Sequence, residues 1–142
     1  MAKVVVGGTF DLLHKGHRGF LSKAASLGEV KIGLTSDEMA KRTKGVEVES
    51  YEKRKENLLS FLPDAEIERI DEPMGFAPYE DFDYIVVSEE TRPRAEKINE
   101  ERKKQGKKEA EIVEVELVLA KDGKPISSSR IRKGEINKEG EV

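Results

Sequence analysis

The segment Lys3–Gly28 constrains the fold more than any other part of the chain. It begins with three consecutive valines at 4–6, which is typical of a short strand buried on both faces of a parallel sheet. Gly7 and Gly8 follow, and without a Cβ atom they let the backbone turn sharply and approach a ligand closely. From about Gly16 the apolar residues recur at helical spacing, and Gly28 is a typical helix stop. The segment therefore predicts a strand, a tight turn and a helix.

Both histidines of the chain, His14 and His17, lie at the predicted start of this helix. Their spacing places them on one side of the first turn, where unpaired backbone N–H groups and the helix dipole favour an anion. The turn has neither the G-x-G-x-x-G pattern nor the P-loop pattern. We predict a phosphate site. The alternatives are two neighbouring surface histidines, or a metal site with Asp11 that would need further ligands.

Length and composition narrow the class of protein. The 142 residues are enough for one domain over residues 1–142, with residues 135–142 expected to form a flexible tail. The absence of cysteine excludes disulfides and thiolate metal sites. Because we find no membrane-spanning run and no signal peptide, we expect a cytoplasmic protein without a membrane partner. The sequence leaves the oligomeric state open, with a monomer as the preferred expectation. A net charge of -3 with 39% charged residues argues against a nucleic-acid partner.

Strand and helix patterns alternate along the rest of the chain. This alternation predicts an α/β fold with a five-stranded, mainly parallel sheet flanked by helices. The further strands are predicted at 30–35, 66–70, 84–87 and 111–118, and the further helices at 37–41, 51–62, 92–105 and 126–132. In such a sheet the ligand lies beyond the carboxyl ends of the strands, so the loops that follow the strands are the candidate binding loops.

Two of these loops are rich in groups that bind phosphate. The loop after the second strand carries Lys41, Arg42 and Lys44, which could neutralise a phosphate or could form a solvated basic patch. The loop before the last helix carries three serines at 127–129, with Arg132 behind them. Serine hydroxyls at a helix start and a nearby guanidinium can hold an anion. A simple helix cap would explain one serine but not all three.

The sequence GTFDLLHKGH at 8–17 resembles the GTFDxxHxGH signature of the nucleotidylyltransferases, Rossmann-like enzymes distantly similar to class I aminoacyl-tRNA synthetases. ISSSRIR at 126–132 is similar to the ISSTxIR element of the adenylyltransferase branch, with Ser129 keeping the hydroxyl of the usual threonine. The chain lacks the RTEG of the cytidylyltransferase branch. From DYIVVSEET to GEI it resembles the archaeal phosphopantetheine adenylyltransferases and the matching half of animal CoA synthase, and the resemblance spans nearly the whole chain.

This resemblance implies a reaction, its cofactor and its site residues. AMP would pass from ATP to 4′-phosphopantetheine, giving dephospho-CoA and pyrophosphate, with Mg²⁺ carried by the phosphates and no metal ligand from the protein. The implied catalytic residues are Thr9, His17, Lys41 and Lys44, and which of the two lysines bridges the phosphates stays open. The implied ATP-binding residues are Gly8, Thr9, Phe10, His14, His17, Ser88, Glu90, Thr91, Ser127, Ser128, Ser129 and Arg132.

Two other functions remain compatible with the sequence. One is a related nucleotidylyltransferase that uses another phosphate acceptor, such as nicotinamide mononucleotide, flavin mononucleotide or a glycerol phosphate. The other is a non-catalytic nucleotide-binding domain on the same fold. The presence of both histidines, the lysines and ISSSRIR in one chain argues against the second function.

Overall fold

The computed structural model describes residues 2–45 and 48–142, except for the side chain of Lys44. Its strands are β1 (Lys3–Gly8), β2 (Glu29–Thr35), β3 (Glu66–Ile70), β4 (Tyr84–Val87) and β5 (Glu111–Glu114). Its helices are α1 (Lys15–Leu27), α2 (Asp37–Lys44), α3 (Tyr51–Phe61), α4 (Arg92–Lys104) and α5 (Ser128–Arg132). None of the helices in these described ranges is both long and apolar enough to cross a membrane.

The five strands form one sheet in the order β3-β2-β1-β4-β5, and every strand pairing is parallel. The predicted α/β fold is therefore confirmed. The chain runs outward from β1 to β3, then returns to place β4 on the other side of β1. The strand order thus reverses between β1 and β4, and in open parallel sheets this switch point is where the carboxyl ends leave room for a ligand.

Alternating residues of the strands build an apolar core on each face of the sheet. Val4 and Val6 point to one face, where they pack with Leu21 of α1 and Leu58 of α3. Val5 points to the opposite face and belongs to a second cluster that includes residues of α4. The valine run is therefore buried on both faces, as the sequence predicts, and it fixes the position of the loop that follows β1.

Two element ends differ from the prediction by more than two residues. β5 ends at Glu114 rather than Val118, because its neighbour β4 ends at Val87 and the chain there turns away. The following residues leave the sheet, and Leu119 pairs with Pro125 in an antiparallel bridge instead. α2 runs to Lys44, into the predicted loop, and two residues of that loop, 46 and 47, lie outside the described ranges.

The C-terminal segment 135–142, which we predicted to be a flexible tail, contacts the rest of the domain at Ile136 and Lys138. Ile136 is only 4% exposed and packs with Ala120 and Ile126 in a small apolar cluster. The Lys138 carbonyl accepts a hydrogen bond from the first amide of α1. One apolar residue in a polar sequence gives no periodic pattern, so the sequence did not predict this packing.

Candidate functional site

A cleft of about 260 Å³ lies at the carboxyl ends of β1 and β4, at the switch point of the sheet. Its opposite wall is formed by the segment 115–118, which follows the short β5. Most of the predicted ATP-binding residues line this cleft: Gly8, Thr9, Phe10, His14, His17, Ser88, Thr91, Ser127 and Ser128. The structure thus brings together residues from three of the loops that follow strands.

The two histidines form a reciprocal cap at the start of α1. His14 Nδ1 accepts a hydrogen bond from the His17 amide at 3.2 Å, and His17 Nδ1 accepts one from the His14 amide at 3.3 Å. The two rings stack, with 3.6 Å between their centroids and 15° between their planes. The pair therefore satisfies two of the helix's initial N–H groups, as a capping box does.

This cap determines which nitrogen of each imidazole carries the proton. An Nδ1 atom that accepts a backbone hydrogen bond cannot also carry hydrogen, so each neutral ring is protonated at Nε2. Both Nε2–H groups are then hydrogen-bond donors, and both histidines line the cleft at the positive end of the helix dipole. Two donors in fixed orientation near a helix start suit a phosphate group.

The backbone around the histidines has little freedom. Phe10 has a φ of 49° and Leu12 a φ of 54°, a region in which residues other than glycine cost about 1–3 kcal/mol each. The Phe10 ring lies edge-on to the His17 ring, with 5.3 Å between centroids. A Cβ atom on Gly16 would lie 2.9 Å from His14 Cε1, so the stacked pair requires glycine there.

The three serines before α5 have different partners. Ser127 caps the helix, because its Oγ accepts a hydrogen bond from the Arg130 amide at 3.2 Å. Ser128 Oγ donates to the Asp11 carbonyl at 2.7 Å and so ties α5 to the loop after β1. Ser129 is exposed and does not line the cleft. One serine is thus a simple cap and the second connects two loops.

The arginines of α5 also differ. Arg132 forms an ion pair with Asp11, whose side chain is 1% exposed, whereas the Arg132 side chain is 28% exposed. Arg130 bonds to Asp122, and this hydrogen bond lowers the pKa of the Asp122 carboxyl. Arg130 is therefore held by a surface carboxylate, while Arg132 is the arginine connected to the loop after β1.

Ser88 and Thr91 form a compact turn at the end of β4. The Ser88 amide donates to Thr91 Oγ1 at 3.0 Å, and the two hydroxyl oxygens are 3.2 Å apart. Glu90 lies in the same turn but is exposed and does not line the cleft. The turn thus presents hydroxyl groups, rather than a carboxylate, to the cleft.

Of the two predicted lysines, Lys41 is exposed on α2 and does not line the cleft, whereas the side chain of Lys44 is outside the described part of the chain. Lys41 lies one turn beyond Asp37 and therefore on the same face of α2. Asp37 Oδ1 accepts hydrogen bonds from Arg54 Nη2 at 3.1 Å and from the Tyr51 amide at 2.7 Å, which fix the start of α2.

Sequence reasoning missed two polar residues beneath the cleft, Thr35 and Arg54, and considered Asp11 only as a possible metal ligand. All three are buried. Asp11 Oδ1 accepts from the Glu49 amide at 2.8 Å, in addition to the ion pair described above. A sequence signal existed for Arg54, because it lies four residues before Leu58 and thus on the buried face of its helix. A charged residue on an apolar helix face indicates a buried ionic network.

Two other cavities adjoin the sheet. A narrow apolar cavity beside the cleft shares Gly7 and Thr91 with it and is also lined by Ile70, Met74 and Val87. A larger cavity of about 980 Å³ lies at the amino ends of the strands. Its lysine at position 31 is already paired with three glutamates, and the predicted site residues lie elsewhere. We therefore assign the site to the smaller cleft.

Within residues 2–45 and 48–142, no group of three or more histidine, aspartate or glutamate side chains is arranged to hold a metal ion. The polar side chains that line the cleft are two imidazoles, five hydroxyls and the carboxylates of Asp11 and Glu116, and Asp11 is paired with Arg132. This donor set suits a ligand rich in acceptor oxygens, such as a polyphosphate.

Comparison with known proteins extends these observations. Residues 5–134 match the family model described as cytidylyltransferase-like. A phosphopantetheine adenylyltransferase of Methanosarcina mazei is 51% identical, with 100% of this chain and 97% of the relative covered. A protein of the same name from Methanothermobacter thermautotrophicus is 46% identical, with 98% and 88% covered. A crystal structure of an Archaeoglobus fulgidus protein described as of unknown function superposes with a TM-score of 0.74 at 39% identity, covering 80% of this chain and 88% of that one.

Proposed function

The chain belongs to the cytidylyltransferase-like family, in the branch of the phosphopantetheine adenylyltransferases, and from this premise we propose that it transfers AMP from ATP to 4′-phosphopantetheine. The products would be dephospho-CoA and pyrophosphate, in a step of coenzyme A biosynthesis in the cytoplasm. The observation that carries the proposal is the pair of fixed imidazole donors at the mouth of α1, at the switch point of the sheet. The relatives' names do not favour the other acceptors or a non-catalytic domain.

The chemistry of this transfer needs donors rather than a base. An oxygen of the 4′-phosphate attacks the α-phosphorus of ATP, and the bond from that phosphorus to the bridging oxygen breaks, so that pyrophosphate leaves. The attacking oxygen is already anionic, so catalysis depends on alignment and on stabilising the developing charge. We assign that stabilisation to His17 Nε2–H, with His14 Nε2–H on the triphosphate. One preorganised donor of this kind contributes about 3–4 kcal/mol, or roughly 100–1000-fold in rate.

The acceptor phosphate would lie next to Thr9. Its hydroxyl would orient the attacking oxygen, while Lys41 or Lys44 would approach from α2 and bridge the acceptor and α-phosphates. The hydrogen bonds of Asp37 to α3 hold the start of α2 in place, and this supports α2 as the helix that carries the bridging lysine. The apolar part of the pantetheine arm would lie along the narrow cavity that adjoins Gly7, where Ile70 and Met74 offer apolar surface.

The leaving pyrophosphate would lie between the histidines and α5. The hydrogen of the Ser128 hydroxyl is used by the Asp11 carbonyl, so Ser127 is the better placed donor of the two. Ser129 and Arg132 would complete the phosphate contacts from the same helix. Mg²⁺, held by the phosphate oxygens, would neutralise charge on the triphosphate, which fits a site whose described residues form no metal-binding group of carboxylates and histidines.

The nucleoside would fill the rest of the cleft. Ser88 and Thr91 present hydroxyls there, and Gly8 and Phe10 line the same wall. We place the adenine and ribose against this side, with Glu90 at the outer edge of the turn. The bare glycine backbone leaves space for a ligand to come close.

The proposal is tested by pyrophosphate release from ATP with and without 4′-phosphopantetheine, with the nucleotide product identified by mass. We expect release only with the acceptor, and dephospho-CoA as the product. Parallel reactions would replace the acceptor by nicotinamide mononucleotide, flavin mononucleotide or glycerol 3-phosphate, and ATP by CTP. Faster turnover with any of these pairs would assign the chain to another substrate.

A further inference from the structure

Arg54 is a fully buried arginine at 0% exposure, and its guanidinium lies beneath the cleft. Its Nε donates to the Glu49 carbonyl at 2.8 Å. Its Nη1 donates to the Thr35 carbonyl at 2.9 Å and to the Thr9 carbonyl at 3.2 Å, and its Nη2 bonds to Asp37. One side chain thus connects the carboxyl ends of β1 and β2 with the start of α2.

The same guanidinium begins a chain of hydrogen bonds between side chains. Arg54 Nη1, whose two hydrogens are shared among three acceptors, also donates to Thr35 Oγ1 at 3.2 Å, and Thr35 Oγ1 donates to Thr9 Oγ1 at 3.0 Å. An arginine side chain has donors and no acceptor, so the direction of this chain is fixed at its first member. The Thr35 oxygen accepts, and its single hydrogen goes to Thr9.

The fixed direction determines what the Thr9 hydroxyl can do. Its oxygen accepts from Thr35, so its own hydrogen must be donated to a different oxygen. Thr9 lines the cleft, and an anionic phosphate oxygen there would be a strong acceptor. A threonine hydroxyl without this chain could rotate and present its lone pairs to the phosphate, which would be repulsive. Successive bonds in one direction also polarise one another, which makes the last hydroxyl a better donor.

We propose that Arg54 and Thr35 are positioning residues that hold Thr9 as a directed donor to the acceptor phosphate. This inference rests on the proposed function, because it assumes that a phosphate-bearing acceptor binds beside Thr9. The carbonyl bonds of Arg54 would stabilise the loops whatever the ligand. The hydroxyl chain through Thr35 is the part that a purely structural arginine would not require.

Thr35→Val is the variant that isolates the hydroxyl chain. It keeps the branched shape and the backbone carbonyl that Arg54 binds, and it removes only the hydroxyl. We expect kcat for AMP transfer to fall by about 10-fold, the loss of roughly one hydrogen bond in the transition state. Thr35→Ser, which keeps the hydroxyl, should restore most of the rate. If Thr35→Val does not fold, Thr35→Ala removes the same hydroxyl without placing a methyl group where the hydroxyl was.

A double substitution and a distant control separate positioning from stability. In a Thr9→Val background, adding Thr35→Val should cause no further loss of rate, since the donor is already absent. Asn99→Ala on α4 removes two buried bonds to Ala110, of 2.8 Å and 2.9 Å, away from the cleft. This control should lower the melting temperature and leave kcat within about 2-fold of the wild type.

Calorimetric binding gives a readout that does not depend on turnover. Thr35→Val should weaken binding of 4′-phosphopantetheine by about 5- to 10-fold and leave pantetheine, which lacks the phosphate, unchanged. A wild-type protein that binds 4′-phosphopantetheine without transferring AMP would contradict the proposed function, while this comparison would still decide the inference. Wild-type behaviour of Thr35→Val, equal losses for both ligands, or an additive effect with Thr9→Val would each overturn it.

Discussion

His17 has two roles in the proposed site, and two substitutions can separate them. Its Nδ1 accepts the His14 amide and completes the cap of α1, whereas its Nε2–H is the proposed donor to the α-phosphate. In His17→Asn, the short amide can keep an acceptor near the position of Nδ1 but has no group near Nε2. In His17→Gln, the longer amide can place an N–H near Nε2 but loses the acceptor of the cap.

The sizes of the two losses differ enough to be measured independently. Loss of a preorganised donor corresponds to about 3–4 kcal/mol in the transition state, or 100–1000-fold in kcat. Loss of a cap acceptor costs about 1 kcal/mol of folding stability, which lowers the melting temperature by about 3–5 °C for a domain of this size. A domain stable by at least about 5 kcal/mol stays more than about 99% folded after such a loss. Partial unfolding therefore cannot account for a 100-fold loss in kcat.

Pyrophosphate release at saturating substrates and thermal denaturation would be measured for both variants. We expect His17→Asn to keep a melting temperature near that of the wild type and to lose at least about 100-fold in kcat. His17→Gln should melt a few degrees lower and be faster than His17→Asn. The opposite ranking of the two rates, or a wild-type rate for His17→Asn, would refute the assignment of Nε2–H as the catalytic donor.

Three further substitutions follow from other ion pairs. Asp11→Asn should lower the free energy of unfolding by about 2 kcal/mol in urea denaturation, because the ion pair with Arg132 loses its charge; a change below about 0.5 kcal/mol would mean that the pair contributes little. Arg132→Ala should weaken calorimetric binding of ATP and pyrophosphate but not of AMP, and parallel losses for ATP and AMP would place Arg132 away from the β- and γ-phosphates. Burial alone would lower the pKa of Lys31, but its hydrogen bonds to Glu80 and Glu68 outweigh that effect and raise the pKa. The stability that Lys31 contributes is present at neutral pH and lost as the pH rises through its folded-state pKa. When the pH is raised from neutral to alkaline, the melting temperature of the wild type should therefore fall further than that of Lys31→Met.

The parts of the fold that the sequence predicted are those set by local patterns. The run Val4–Val6 predicts a buried strand, because consecutive apolar residues are the pattern of a strand that is covered on both faces. The predicted starts of α2 at 37 and α3 at 51 are set locally as well, because Ser36 and Ser50 each accept a hydrogen bond from the amide three residues further on. The proximity of the two histidines also belongs to this class, because it follows from a spacing of three at a helix start, whereas their reciprocal cap and ring stacking were not predicted.

The parts that the sequence did not predict depend on contacts between distant segments. Arg54 bonds to the Thr9 carbonyl, 45 residues away, and Ser128 bonds to the Asp11 carbonyl, 117 residues away. The end of β5 is set by where its neighbouring strand ends, which the pattern of β5 itself does not contain. Such contacts become visible only once the strand order is known.

Buried polar side chains are concentrated where the cleft lies. The described ranges contain eight buried polar or charged residues, and six of them surround the cleft. Five lie in or beside the loops after β1 and β2, and the sixth is the arginine beneath these loops: Thr9, Asp11, His14, Thr35, Ser36 and Arg54. Each would cost about 1–3 kcal/mol if buried without a partner, so the hydrogen bonds and ion pairs that they form with one another and with neighbouring residues are a condition for folding. The same bonds fix the donors before a ligand binds, which is what electrostatic catalysis requires. An apolar substitution within this set leaves a buried polar neighbour without its partner and also removes a group proposed to orient the substrates, so stability and activity should fall together there.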